Sequence, residues 1–192
     1  FESKAIDYRI TIEGYEMEII QTEGRRARAR PTETLRTYAE VPYLADWAPA
    51  RTVAWPNGYL IPAQDPAVVD KLLQHGITVE RLAEPRMLTV EQFAVTEATG
   101  ATRLNQGHYN TSVTGEYSTV EIEFPVGTFY VTTAQSLGGL AASLLEPESD
   151  DGLVYWNFFD RYLAAQWSSS AQIYPVYKLR SPVNLVTEQV GG

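Results

Sequence analysis

Apolar and polar residues alternate one for one through Thr119-Val-Glu-Ile-Glu-Phe124. A period of two belongs to an extended strand with one covered face and one wet face. The same pattern recurs near the start. Tyr8, Ile10 and Ile12 alternate with Arg9 and Thr11, and after Gly14 the residues Tyr15, Met17 and Ile19 alternate with Glu16 and Glu18. This predicts two strands within residues 6–22, joined as a hairpin near Glu13-Gly14. Further strands are predicted at 90–95, 108–113, 120–124 and 128–131. Gly100, Gly107, Gly115 and Pro125-Val-Gly127 punctuate them, which makes residues 88–131 an antiparallel meander.

Helical spacing is confined to a few places. Residues 58–63 read as a short apolar strand, and Asp65-Pro66 as an N-cap followed by proline at the first helical position. Val68, Val69, Leu72 and Leu73 then share one face, Gly76 stops the helix, and Ile77, Val79 and Leu82 start a second strand. The expectation is a β-α-β unit over 58–83 with parallel strands. Leu137, Leu140, Ala141, Leu144 and Leu145 predict a helix over 136–146, capped by Ser136 and ended by Glu146-Pro147. A second short helix is expected over 155–166 and a closing strand over 173–179, with a loose tail to Gly192. Pro31, Pro42, Pro49 and Pro56, with Trp47 and Trp55 among them, predict an irregular wrap over 31–57 holding a short strand at 34–38. The fold class expected is therefore α+β, mixed α/β and β-rich, with two short helices after 135. A strand hairpin and proline-rich wrap (1–57) would accompany a main domain (58–192).

Net charge limits the partners. At −9 the chain is poorly suited to nucleic acid or an anionic membrane as its main partner. Four arginines, Arg25, Arg26, Arg28 and Arg30, could grip an anion, but such a run is more often a solvated loop. Without cysteine there is no thiol catalysis, disulfide or thiolate metal site. No stretch reaches the roughly 20 apolar residues of a membrane span, and no signal peptide is evident. The chain begins at Phe1 rather than Met, which suggests a processed product or a piece of something longer.

The most distinctive stretch is 144–160. It packs Glu146, Glu148, Asp150 and Asp151 into six residues, followed by Tyr155, Trp156, Phe158 and Phe159, with Asn157 among them and Asp160 closing the run. The carboxylates could bind calcium, but they lack EF-hand spacing, and such a run is more often helix punctuation, with Asp150 or Asp151 capping the next helix. His75 and His108 begin no zinc-binding motif, since Thr78 and Thr111 stand three residues after them. His108, after Gln106-Gly107, could be a general base, with Ser149 as a nucleophile by adjacency only. Its alternative is a structural histidine bonded to a carbonyl or to a carboxylate such as Asp150. Tyr155, Trp156 and Phe159 could form a stacking platform or simply core.

Gly127-Thr-Phe-Tyr-Val-Thr-Thr-Ala-Gln-Ser-Leu-Gly138, followed by residues 144–160, resembles the C-terminal region of large bacterial zinc carboxypeptidase-like proteins. These are carboxypeptidase A-type metallopeptidases with a long extension after the catalytic domain. Residues 58–63 with the helix after them, Gln106-Gly-His108 and Tyr174-Pro-Val-Tyr177 support the likeness, which runs from about residue 38 to 179. Thr132 and Ser136 depart from it, standing where proline is expected. The resemblance implies that the zinc ligands, the substrate-binding arginine and the catalytic glutamate lie in a preceding domain. No catalytic residue, metal ligand or cofactor is then expected in this chain. Its partner would be the upstream peptidase domain of the same polypeptide, in the periplasm or outside the cell. The expected function is a noncatalytic C-terminal accessory module. Gln106, His108, Asp150, Asp151, Trp156, Asn157 and Asp160 would form one patch linking the acidic loop to the sheet. Two alternatives stay open: a carbohydrate- or peptide-binding module using Tyr155 and Trp156, and a hydrolase around His108. Oligomeric state is not set by the sequence.

Overall fold

A computed structural model describes residues 2–21, 27–49, 51–62, 66–163 and 172–191. The chain divides into two compact units, Phe1–Ala54 and Trp55–Gly192.

In the first unit β1 (Glu2–Lys4) is followed by β2 (Arg9–Ile20), β3 (Arg28–Pro42) and β4 (Asp46–Ala48). β1 pairs with β4, and β2 pairs with β3 in a long antiparallel ribbon. The expected turn at Glu13-Gly14 is absent, because β2 runs straight through it. The alternation changes phase there, so that Ile10 and Ile12 face one side of the strand and Tyr15, Met17 and Ile19 the other. A change of phase and a turn look alike in sequence. The irregular wrap is corrected in the same way, since residues 28–42 form one strand. Pro31 sits opposite Met17 at a break in register. In a two-stranded ribbon both strands are edges, where proline is tolerated. Arg28 and Arg30 lie in β3 opposite Ile20 and Glu18, while Arg25 and Arg26 fall outside the described residues.

The second unit holds β5 (Gly58–Ile61), α1 (Pro66–Gln74), β6 (Glu80–Leu82), β7 (Arg86–Gly100), β8 (Thr111–Phe124), β9 (Phe129–Thr132), α2 (Gly138–Leu145), α3 (Asp160–Leu163), β10 (Gln172–Ile173), β11 (Tyr177–Leu179) and β12 (Thr187–Gln189). One sheet runs β10-β7-β11-β5-β9-β6-β12, with β8 paired to β7. Every ladder in it is antiparallel.

This overturns the mixed α/β expectation. The described residues form twelve strands and only three short helices, a sheet-dominated β fold. β5 and β6 flank α1 but do not pair. β9 lies between them, antiparallel to both. A helix is roughly 10 Å across, about two strand spacings, so the crossover leaves one slot and β9 fills it.

The meander is corrected too. The strands expected at 108–113 and 120–124 are one strand, β8, in a hairpin with β7, and β9 leaves that hairpin for β5 and β6. Gly115 is no break. A Cβ there would run into the Ala94 carbonyl oxygen and the Phe93 ring, so glycine lets that ring lie across the strand. Ser136 does not cap α2, whose N-cap is Leu137 with no side-chain hydrogen bond. The second helix is only Asp160–Leu163, after a run of turns, and residues 164–166 lie outside the described set, as does Asp65. The tail is paired, with Thr187 opposite Leu82.

Both faces of the sheet are covered. Tyr59, Phe93 and Val131 pack with Val68 and Leu72 of α1 and Ala141 and Leu145 of α2. Leu60, Leu88, Val90, Phe124 and Leu179 form a smaller cluster of their own.

Candidate functional site

The acidic stretch begins where α2 ends. The Glu146 N–H still bonds the Ala142 carbonyl at 2.9 Å, but its backbone has become extended and Pro147 prevents another turn. Its carboxylate turns inward. Tyr59 donates its hydroxyl to Oε1 at 2.7 Å, Tyr117 donates to Oε2 at 3.0 Å, and the Lys178 ammonium lies 2.7 Å from Oε2. Lys178 is 3% exposed and Glu146 12%. The ammonium also stands 3.8 Å from the centroid of the Tyr117 ring. Tyr59 and Lys178 are cross-strand neighbours on β5 and β11, so the sheet presents a prepared seat and Glu146 pins the end of α2 into it. Nearby, Tyr174 donates its hydroxyl to the Leu145 carbonyl at 3.0 Å.

Burial dominates the electrostatics here. It pushes the Tyr59 and Tyr117 phenols far above their usual range, with the Glu146 charge adding to the effect. Tyr174 moves the same way. Burial lowers Lys178, and Glu146 opposes that shift without cancelling it. None of these partners was anticipated from sequence. The available signal was a lone lysine between Tyr177 and Leu179 in an otherwise apolar closing strand.

The anticipated patch lies further along the same stretch. His108 sits in a tight reversal, where Asn105 and His108 exchange backbone hydrogen bonds at 2.8 Å in both directions. Gln106 and Gly107 at its tip both have positive φ, 50° and 90°. His108 Nδ1 lies 3.0 Å from Asn157 Oδ1. The Asn157 amide nitrogen reaches the Tyr109 carbonyl at 3.0 Å, Thr111 Oγ1 at 3.1 Å and Asp160 Oδ2 at 2.9 Å. Those acceptors fix the amide's orientation, so His108 must donate through Nδ1. Thr111 donates to Asp160 Oδ1 at 2.9 Å. Trp156 donates its indole N–H to Asp151 Oδ1 at 2.5 Å, and the His108 ring meets its ring edge-on at 5.4 Å.

His108, Asn157, Asp160, Trp156 and Asp151 are thus brought together, stitching the far end of the β7–β8 hairpin to the turns before α3. Gln106 and Asp150 are exposed beside them, and among the described residues neither side chain hydrogen-bonds to the group. Sequence reasoning missed Thr111 and Asn110, whose side chain donates to the Tyr155 carbonyl at 3.2 Å.

The chemistry open to this arrangement is limited. Among the described residues no three His, Cys, Asp or Glu side chains are grouped to hold a metal ion. Three of the four carboxylates diverge: Glu146 turns into the core, Asp151 is held by Trp156, and Asp150 faces solvent. No hydrogen bond among the described residues joins His108 to Ser149. Tyr155 and Trp156 are half-buried and pack edge-on at 5.4 Å. A cleft of about 170 Å³ lies elsewhere, lined by residues such as Phe159, Tyr162, Pro175 and Tyr177.

The chain is similar to three fungal proteins named Carboxypeptidase 2. It is 31% identical to that of Trichophyton rubrum over 119 residues, covering 59% of this chain and 22% of the relative. To that of Trichophyton equinum it is 28% identical over 125 residues, covering 65% and 22%. The Trichophyton tonsurans protein is 28% identical over 124 residues, with the same coverage. The chain spans only about a fifth of the length of the relatives it matches. They are fungal, where the sequence resemblance pointed to bacteria. No family model matches the chain, and no solved structure does.

Proposed function

We propose that this chain is a noncatalytic accessory module of a larger, secreted zinc carboxypeptidase-like protein, packed against its peptidase domain. The observation that carries this reading is one of proportion: a substantial part of the chain matches about a fifth of proteins named as carboxypeptidases. Zinc and the groups that act with it belong, on this reading, to the rest of the polypeptide. Gln106, His108, Asp150 and Asp151, braced from behind by Trp156, Asn157 and Asp160, would offer the polar surface that meets the peptidase domain.

The test is release of C-terminal residues from peptides, assayed in parallel on this chain and on the longer gene product that the reading requires. Release only by the longer product, abolished by a chelator and weakened by deleting the module, is the expected result. Chelator-sensitive release by this chain alone would overturn the proposal.

A further inference from the structure

The β2–β3 ribbon has an apolar ladder along one face. Tyr15 lies opposite Leu35, Met17 opposite Pro31, and Ile19 opposite Ala29. Tyr15 is 52% exposed, Met17 54%, Ile19 69% and Leu35 68%. No described residue of the first unit is buried. A two-stranded ribbon is marginal in water by itself, and its free edges invite pairing. Exposed apolar residues in a contiguous row mark a surface that something covers.

We propose that this ribbon is a docking arm, covered by a folded domain elsewhere in the same longer polypeptide. The inference rests on the preceding reading only in requiring that such a polypeptide exists. Three observations choose the occupant. First, the matched segment is 22% of each relative's length, so most of a relative lies outside it and can supply a covering surface. A cover in the same chain acts at high effective concentration, which lowers the entropic cost of docking. Second, the ribbon's charges are matched internally. Arg36 lies 3.7 Å from Glu16, and Arg30 stands opposite Glu18. That leaves little single-sign field for nucleic acid or an anionic membrane. Third, each copy of the chain carries −9, which opposes a second copy as the cover.

Hydrogen exchange read by mass spectrometry, on this chain and on the longer gene product, tests the proposal. In the chain alone, amides of β2 and β3 should exchange freely while those of β5, β9 and β11 stay protected. In the longer product, β2 and β3 should slow by about tenfold or more. The pair Met17→Asp and Leu35→Asp should abolish that slowing and leave β5, β9 and β11 unchanged. Slow exchange of the ribbon in the chain alone would overturn the proposal. So would slowing that grows with the concentration of the chain alone, since that makes a second copy the cover. A ribbon still unprotected in the longer product, or a gene product no longer than this chain, would also overturn it. Docking can hold in a polypeptide with no peptidase activity, so exchange and the peptide-release assay fail separately.

Discussion

Lys178 and Glu146 bury opposite charges 2.7 Å apart, and each depends on the other. Removing one partner of a buried pair costs about 3–5 kcal/mol because the remaining charge is stranded. Lys178→Met is expected at the lower end, since Tyr59 and Tyr117 still donate to the carboxylate. Adding Glu146→Gln should recover most of the loss, and urea denaturation of both variants decides. The pH dependence follows from the phenols. Tyr59, Tyr117 and Tyr174 keep their protons in the fold above the ordinary value of 10.0, while the unfolded chain loses them there. Their stabilisation is therefore complete below about pH 10 and falls as pH rises beyond it. Lys178 runs the other way, adding stability between its lowered value and 10.5. Three phenols outweigh one ammonium, so the urea midpoint should drop above about pH 10; a flat midpoint would contradict the burial of these hydroxyls. Little of this was legible in sequence. Glu146 reads as one acid among four, and its tyrosine partners stand 87 and 29 residues away. Asn157 offers a second test, having φ at 69° and a side chain that joins two loops. Asn157→Gly keeps the backbone easy and loses only the bonds, whereas Asn157→Ala also carries the left-handed cost of about 1 kcal/mol. Alanine should be the less stable of the two by about that margin.

The elements were legible where a local rule decides them. α1 declares itself by Val68, Val69 and Leu72 on one face, all buried against the sheet. The strands declare themselves by alternation, but alternation names neither partners nor ends. Nothing in residues 129–132 says that this strand will part β5 from β6. At Gly14 a change of phase passes for a turn. At Gly115 a glycine that accommodates an aromatic ring passes for a break. The second case is testable. Gly115→Ala places a methyl against the Phe93 ring and the Ala94 carbonyl, and backbone cannot yield as a flexible side chain can. Overpacking of this kind costs about 1–3 kcal/mol. If Gly115 were an ordinary loop glycine, alanine would be neutral or mildly stabilising. A thermal denaturation midpoint that drops on substitution supports the packed strand.

At the scale of the whole chain, burial is divided unequally. Tyr59, Phe93, Phe124, Phe159 and Tyr174 are buried in the second unit, while no described residue of the first unit is. Stability comes chiefly from apolar area removed from water, so the two units cannot resist opening equally. The candidate patch belongs wholly to the stable unit. His108, Asn157 and Asp160 are tied to β8 through Thr111, which gives that surface a fixed shape to present. The ribbon, by contrast, has no buried residue among those described to hold its extended form. Limited proteolysis of the chain alone should therefore remove the first unit early and leave a resistant fragment beginning near Trp55. Intact mass identifies the fragment, and its thermal transition should match that of the whole chain, because the lost residues contribute little buried area. A resistant fragment that retained β2 and β3 would show that the ribbon is stable without cover, and the need for a docking partner would disappear with it.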